Sequence, residues 1–395
     1  MGGQRSRRRR PFFLWVTTVG LIGVLLAPLP ADARCAGDCS GDGAVSVDEI
    51  VTLVNIALGI LGVDRCTAGD LDGDGQVTVD EILSAVADAL GGCTPVASIW
   101  TQIDPTTGLQ DIWGTTTGEL FAVGFSGTIR HFDGNSWSSM SSGTTFHLLA
   151  VWGFAPDDVW AVGFNNQMPL QRGIILHYDG VSWSEIAHGQ TDTYFRDVWG
   201  LATDDLFVVG GIEGFGTPGA ILHFDGDDWT QQLTVSDSQP HNQLRGVWGF
   251  AADDVYAVGS GQAPLAGSQG MQPLAFHYDG DAWMRQAAMS GVFNSVWGTS
   301  TDNVYASGGP TGVSRFDGQQ WSPIATDVFG ESSFSPIWGF DPQDIFFGLI
   351  HYDGVEFVNT RDPDSLLFSI NGLWGPPDGS VIYGAAPNGV WQLER

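Results

Sequence analysis

Seven Trp-Gly pairs, beginning at Trp113, Trp152, Trp199, Trp248, Trp297, Trp338 and Trp374, constrain this chain more than any other feature. Successive pairs lie 39, 47, 49, 49, 41 and 36 residues apart. A recurrence of that length marks stacked supersecondary units, each of which needs its neighbours to bury its apolar face. Every unit carries short apolar runs broken by Gly-, Asp- and Thr-rich turns. In the first unit the runs are Leu109–Gly114, Glu119–Phe125, Thr128–Phe132 and Ser136–Met140, the last two joined by the tight hairpin signal Asp133-Gly134. Four short strands per unit exclude the helix-pair repeats of similar length.

The ends of the array predict how many units there are and how they close. Six units finish with Asp-Gly-x-x-aromatic, at Trp137, Trp183, Trp229, Trp283, Trp321 and Phe357. The seventh reaches Arg395 with three strands. Ahead of the first unit, the run Val96–Ile103, containing Trp100, belongs to no unit and can supply the missing fourth strand. Residues 97–395 therefore resemble a seven-bladed β-propeller repeat domain. Its ring is closed by an N-terminal strand on the last blade, which leaves no open sheet edge. The fold class expected is mostly β, with a small helical module in front.

The repetition decides how the recurrent polar residues are read. His131, His177, His223, His277 and His351 occupy the third strand of five different blades, so they cannot converge on one metal ion. Arg315 fills the same slot in the fifth blade. Asp157-Asp158, Asp204-Asp205, Asp253-Asp254 and Asp302-Asn303 fall between first and second strands, where such side chains bond nearby backbone. Adjacent carboxylates in one turn cannot flank a glycosidic bond from two sides. Both sets are expected to be structural, as are the tryptophans, placed one per blade for packing.

The N-terminal portion has a different composition. All 15 basic residues of the chain are Arg, and five of them precede the apolar run Phe12–Ala27. With Ala31-Asp32-Ala33 following, residues 1–33 read as a secretory signal, and an extracellular location is expected. Loss of that segment leaves 10 basic and 44 acidic residues, against 15 and 45 in the full chain, a net of −34. Such a surface disfavours nucleic acid and anionic lipid and favours cations. No later apolar run is long enough to span a bilayer, so no membrane insertion is expected after cleavage. Cys35, Cys39, Cys66 and Cys93 fall in residues 34–93 and imply two disulfides, with three connectivities open.

Two segments of this module fit a twelve-residue calcium loop position by position. The first offers Asp38, Ser40, Asp42, the Ala44 carbonyl, Ser46 and Glu49, with Gly43 at the obligatory turn. The second, 32 residues later, offers Asp70, Asp72, Asp74, the Gln76 carbonyl, Thr78 and Glu81, with Gly75 at the turn. Each leads into an amphipathic run, Asp48–Leu58 and Asp80–Leu90. A calcium loop followed by one helix, duplicated, resembles the type I dockerin (tandem EF-hand-like) repeat. That resemblance implies two calcium ions and a cohesin domain as a partner. The cysteines point to a disulfide-closed unit in which calcium is structural. Residues 94–96 form the linker.

Function is expected on the propeller. Loops after strands one and three share one face and are short. The other face carries long insertions in three consecutive blades: Phe164–Arg172, Gly211–Gly219 and Ser260–Pro273. Asn165, Asn166, Gln167, Gln171, Arg172, Phe215, Gln262, Gln269 and Met271 would lie side by side there as an amide-rich ligand patch. No nucleophile elbow, phosphate loop, zinc motif or dinucleotide fingerprint is present. The expected function is non-catalytic binding of a polysaccharide or extracellular protein. The rival is a glycan-active enzyme working at the channel mouth, for which Asp111 and Asp197 are the acids to test.

Overall fold

The computed structural model describes residues 37–40, 45–70, 75–91, 100–165, 172–190, 193–211, 219–235, 242–262, 271–287, 292–308, 312–325, 336–355, 357–361 and 365–395. The chain divides into two compact units, Met1–Ala97 and Ser98–Arg395. Residues 1–33, expected to be the signal, lie outside the described residues. Among the described residues no helix is long and apolar enough to cross a membrane.

The first unit contains two short helices, α1 (Val47–Ala57) and α2 (Val79–Gly91), which begin at the same point after each acidic loop. Ser46 caps α1 with its hydroxyl on the Glu49 N–H, while the Glu49 carboxylate accepts the Ser46 N–H at 2.8 Å, a reciprocal capping box. Glu81 accepts the Thr78 N–H at 2.6 Å ahead of α2 in the same way. Leu53, Ile56, Val77 and Ala85 form a small core with Val45 and Cys66. Cys39 is bonded to Cys66. Cys35 and Cys93 lie outside the described residues.

In the second unit the described residues form seven four-stranded antiparallel sheets, the blades of a propeller. Blade 1 comprises Leu109–Gly114, Leu120–Gly124, Thr128–Phe132 and Trp137–Ser141. Blades 2–6 repeat this order from first strands His147–Ala155, Tyr194–Ala202, Gln243–Ala251, Ser295–Ser300 and Ile337–Asp341. Blade 7 has Gly372–Trp374, Val381–Ala386 and Gly389–Glu394, and its fourth strand is Thr101–Asp104 from the N-terminal end of the unit. Asp104, buried at the end of that closing strand, receives the Arg130 guanidinium from blade 1 through Nε at 3.1 Å and Nη2 at 2.5 Å. The seam where the two chain ends meet is thus bridged by backbone pairing and by a buried ion pair.

The Trp-Gly pairs explain how the blades abut, and they do so in two alternating ways. Trp113, Trp199, Trp297 and Trp374, in blades 1, 3, 5 and 7, lie buried against the glycine of the next blade's pair. A Cβ on Gly153, Gly249, Gly339 or Gly114 would come within 2.5–2.7 Å of those indoles. In blades 2, 4 and 6 the pair is followed by Phe, and Phe154, Phe250 and Phe340 take the corresponding seat on Gly200, Gly298 and Gly375, at 2.5–2.8 Å from such a Cβ. Displaced from that seat, Trp152, Trp248 and Trp338 remain only half-buried and meet one another edge to face. Trp152 and Trp248 have ring centroids 5.9 Å apart, and Trp248 and Trp338 are 6.2 Å apart. All seven tryptophans pack between blades as expected, four in the glycine seats and three, Trp152, Trp248 and Trp338, half-buried against neighbouring core clusters because a phenylalanine occupies the seat.

The recurrent acids and histidines pair within each blade. The second Asp of each Asp-Asp begins the second strand rather than occupying the turn. It accepts from the third-strand imidazole: Asp158 with His177 at 2.7 Å, Asp205 with His223 at 2.6 Å, Asp254 with His277 at 2.6 Å. Asp344 with His351 and Glu119 with His131 repeat the arrangement in blades 6 and 1, and Asn303 with Arg315 substitutes for it in blade 5. Each imidazole also lies over an aromatic ring of its neighbouring strand, as His177 does over Trp160 with centroids 4.3 Å apart. The cross-strand register fixes both contacts, since Trp160 stands opposite His177. The expectation that these acids bond nearby turn backbone is corrected on this point: the partner of the second Asp is a side chain on the next strand of the blade.

Candidate functional site

Seven inner strands enclose a central channel, and its geometry follows from the position of each residue relative to the Trp-Gly pair. The cavity measures about 180 Å³ and is lined from every blade. All seven tryptophans of the Trp-Gly pairs line its indole end. Its other end is lined in five blades by the residue three places before the Trp: Leu149, Arg196, Arg245, Asn294 and Asn371. In the antiparallel blades the inner strand begins on the face that also carries the loops between second and third strands. The ring therefore opens on the variable-loop face.

In blades 1–4 this residue is the extra one in a β-bulge. The register between first and second strands shifts across Leu109/Asp111, Leu148/Ala150, Phe195/Asp197 and Leu244/Gly246, which makes Gln110, Leu149, Arg196 and Arg245 the additional residues of their strands. A bulge re-aims the side chain it carries, and bulges are over-represented beside functional sites. Arg245 is held in place by the Gln243 amide oxygen, at 3.3 Å from Nε and 3.0 Å from Nη2, and by Asn294 Oδ1 at 2.6 Å from Nη1.

One step further in stand two carboxylates. Asp111 Oδ2 accepts the Val151 N–H of blade 2 at 2.9 Å; Asp197 Oδ2 accepts the Val247 N–H of blade 4 at 2.8 Å, and its Oδ1 the Val198 N–H at 2.9 Å. Ser295 of blade 5 makes the equivalent contact, its hydroxyl accepting the Ile337 N–H of blade 6. Burial pushes the Asp111 carboxyl well above the ordinary carboxylate range, against the pull of the Val151 N–H and assisted by the charge of Asp197. Burial likewise raises Asp197 to about 7, opposed by the N–H groups of Val247 and Val198. Both acids tie an odd blade to the next even one.

Of the residues expected to form the ligand patch, Asn165, Arg172, Gln262 and Met271 are described, at the ends of second and third strands. Second and third strands run further than the expected loops allow. Asp158–Asn165 pairs with Arg172–Tyr178, and Asp254–Gln262 with Met271–Tyr278, so Asn165 faces Arg172 and Gln262 faces Met271 in regular register. The physical reason is that the alternating backbone pairing continues through Phe164-Asn165 and Ser260–Gln262 before the chain turns. Arg172 forms an ion pair with Glu185 of its own blade. Asn166, Gln167, Gln171, Phe215 and Gln269 lie outside the described residues. The structure thus brings together Arg196, Arg245, Asn294 and Asn371, which reasoning from loop length missed. Their signal was present as a column near an invariant Trp whose chemistry changes from blade to blade.

A seven-bladed propeller with a polar, variable channel mouth on its variable-loop face defines the class: a scaffold suited to binding a ligand. Comparison with solved structures agrees on the fold. The structure titled "YCF48 bound to D1 peptide" is 14% identical with a TM-score of 0.55, over 75% of this chain and 94% of that one. The WD40 β-propeller domain of Doa1 is 9% identical with a TM-score of 0.52, over 75% and 96%. The RRP9 WD40 repeats are 9% identical with a TM-score of 0.53, over 75% and 99%. No family model and no curated protein matches the sequence.

For calcium, the described part of each loop provides a test of fit. Asp38, Glu49 and Glu81 are buried, and Asp70 Oδ1 is buried with no hydrogen-bond partner among the described residues. A bare, buried carboxylate oxygen is costly unless a cation or donor meets it, so the donor set fits the ion. Among the described residues no three His, Cys, Asp or Glu side chains converge. Asp42, Ala44, Asp72 and Asp74 lie outside them.

Proposed function

We propose that this is an exported binding protein, without catalysis of its own, whose propeller receives a segment of a protein ligand at the channel mouth. The observation that carries this reading is the ring three residues before each Trp. Among the described residues that line the cavity it is Leu149, Arg196, Arg245, Asn294 and Asn371, the first three set on bulges. Variable chemistry on a constant frame is how a scaffold recognises one ligand. The size of the cavity favours a side chain or chain end over a sugar chain, since pockets for even small drug-sized ligands run to about 300–1,000 Å³. A solved propeller of the same fold is described as bound to a peptide.

The basic-then-apolar start of the chain and its clustered cysteines support export. Calcium is proposed to hold the first unit together through Asp38, Ser40, Ser46 and Glu49, and through Asp70, Gln76, Thr78 and Glu81, with the remaining loop ligands. It supplies positive charge among carboxylates that the small core cannot otherwise bury. A glycan-active enzyme using Asp111 or Asp197 is disfavoured because both carboxylates are committed to backbone N–H groups of the next blade.

The test is a parallel selection with the full chain, using displayed random dodecapeptides in one arm and an array of plant and microbial glycans in the other. Enrichment of peptides that compete with one another is expected. Capture of glycans without any peptide would overturn the reading.

A further inference from the structure

We propose that the cleft between blades 2 and 3, on the short-turn face, seats the guanidinium group of an arginine side chain presented by a protein partner. It lies on the face opposite the channel mouth and does not depend on what binds there.

The chain itself shows what such a seat takes. At the junction of blades 6 and 7, the Arg395 guanidinium carbon lies 5.4 Å from the ring centroid of Phe346 and 4.6 Å from that of Phe340. Its Nη2 donates to Asp344 Oδ2 at 2.6 Å, and its Nη1 to the Gly379 carbonyl, in the first turn of blade 7, at 3.2 Å. Asp344 Oδ1 meanwhile meets His351. Blade 2 repeats that frame. Asp158, like Asp344, begins the second strand, and Trp160, like Phe346, stands two residues on and opposite the paired histidine. Both bonds to the Asp158 carboxylate, from His177 and from the Trp160 indole N–H, end on Oδ1, and Oδ2 has no partner among the described residues.

The same seat is treated in three ways around the ring. At blades 4 and 5 the Tyr256 hydroxyl crosses to the Thr301 carbonyl at 3.3 Å and closes it. At blades 6 and 7 Arg395 fills it. At blades 2 and 3 the ring is Trp160, which has no hydroxyl to cross. The register there places Gly226, without a side chain, where Arg395 stands in blade 7. A cavity of about 650 Å³ results, lined by Asp157, Asp158, Trp160, Thr203, Phe224 and Asp227, with His177 the only basic side chain among its lining residues. Trp offers the best aromatic face to a cation, and Arg is the cation more often found on one. A carboxylate beside it supplies the directed acceptor that a guanidinium fork requires. The net charge of −30 steers basic partners toward the surface.

The experiment is calorimetric titration of the full chain with Gly-Ser decapeptides bearing one central Arg, Lys or citrulline, and with agmatine, a guanidinium without a peptide. One Arg peptide is expected to bind per chain, about threefold more tightly than Lys and about tenfold more tightly than citrulline or agmatine. Asp158→Asn should weaken it about tenfold. Trp160→Tyr should do the same, its hydroxyl reaching the Thr203 carbonyl as Tyr256 reaches Thr301. Thermal melts report folding, and should either melt fall, Asp157→Asn combined with Asp227→Asn, both in exposed turns, decides. That pair should weaken binding several-fold, whereas Asp281→Asn, an exposed acid of blade 4, should change nothing. Arg395→Ala opens the counterpart seat and should raise the stoichiometry from one to two. Equal binding of the Arg and citrulline peptides, or Arg binding indifferent to all of these aspartates and to Trp160, would overturn the seat. A stoichiometry still at one in Arg395→Ala would overturn the equivalence on which it rests. Agmatine bound as tightly as the peptide, through the same residues, would overturn the protein partner.

Discussion

Replacing Gly249 with Ala tests the seating of one blade on the next. The added Cβ would lie 2.6 Å from Trp199 Cη2, 2.7 Å from Cζ3 and 3.0 Å from the Asp254 carbonyl oxygen. Carbon atoms rest about 3.5–4.0 Å apart, so the indole must withdraw by about 1 Å. It has little room to do so: Trp199 is 3% exposed and its ring centroid lies 6.4 Å from that of Trp152 and 6.2 Å from that of Trp248. Overpacking of this kind costs ~1–3 kcal/mol. Against it stands ~0.4–1 kcal/mol from the stiffer unfolded chain. The clash wins, and a net loss of ~1–2 kcal/mol is expected. With unfolding entropy of ~2 cal/mol/K per residue over residues 98–395, that lowers the melting temperature by about 2–3 °C. Gly219→Ala is the control, since its Cβ would find nothing nearer than 3.4 Å, and it should be neutral or slightly stabilising. Guanidinium unfolding gives the energies, and near-ultraviolet circular dichroism reports the displaced indole. Trp199→Phe in the same chain removes the outer ring atoms and should recover much of the loss. Strict additivity of the two substitutions would refute the argument.

Two further outcomes follow from the charged groups. The folded Asp197 carboxyl sits at about 7, above the ~3.9 of an unfolded Asp, so its contribution to stability is complete below about pH 4 and is lost as pH rises through 7. The loss is at most ~4 kcal/mol at ~1.4 kcal/mol per unit. Asp197→Asn should flatten this slope between pH 4 and 7, and an unchanged slope in denaturant titrations would count against the burial argument. In calorimetry the protein should bind two calcium ions, and Asp70→Asn should remove one of them; a single site, or two that survive the change, would reject the paired-loop reading.

The blade count and its closure were legible because they depend on local pattern alone: seven Trp-Gly pairs, six hairpin endings and one orphan strand at Trp100. Both helices were legible too, since caps and apolar spacing are local. The Asp158–His177 pairing was not, because it depends on strand register across 19 residues, which no local pattern reports. Arg196 and Arg245 were missed for a different reason. A bulge shifts the register by one residue, and the search for function went to loops of unusual length instead of to the column beside the tryptophan. The Phe that follows Trp-Gly at positions 154, 250 and 340 was visible throughout, but its meaning required seeing what shares its seat.

That seat has a consequence of parity. Trp seats and Phe seats alternate around the ring, and a two-state alternation cannot return to its start after seven steps. One blade must break the rule, and it is blade 1: Gly114 receives Trp374, and Trp113 in turn rests on Gly153. The single fault of the sequence of seats therefore coincides with the join of the two chain ends, where Thr101–Asp104 is woven into the last blade and Arg130 grips Asp104. A ring of six or eight such blades would have no fault to place. In this one, a closing strand and a buried ion pair lie where the pattern breaks.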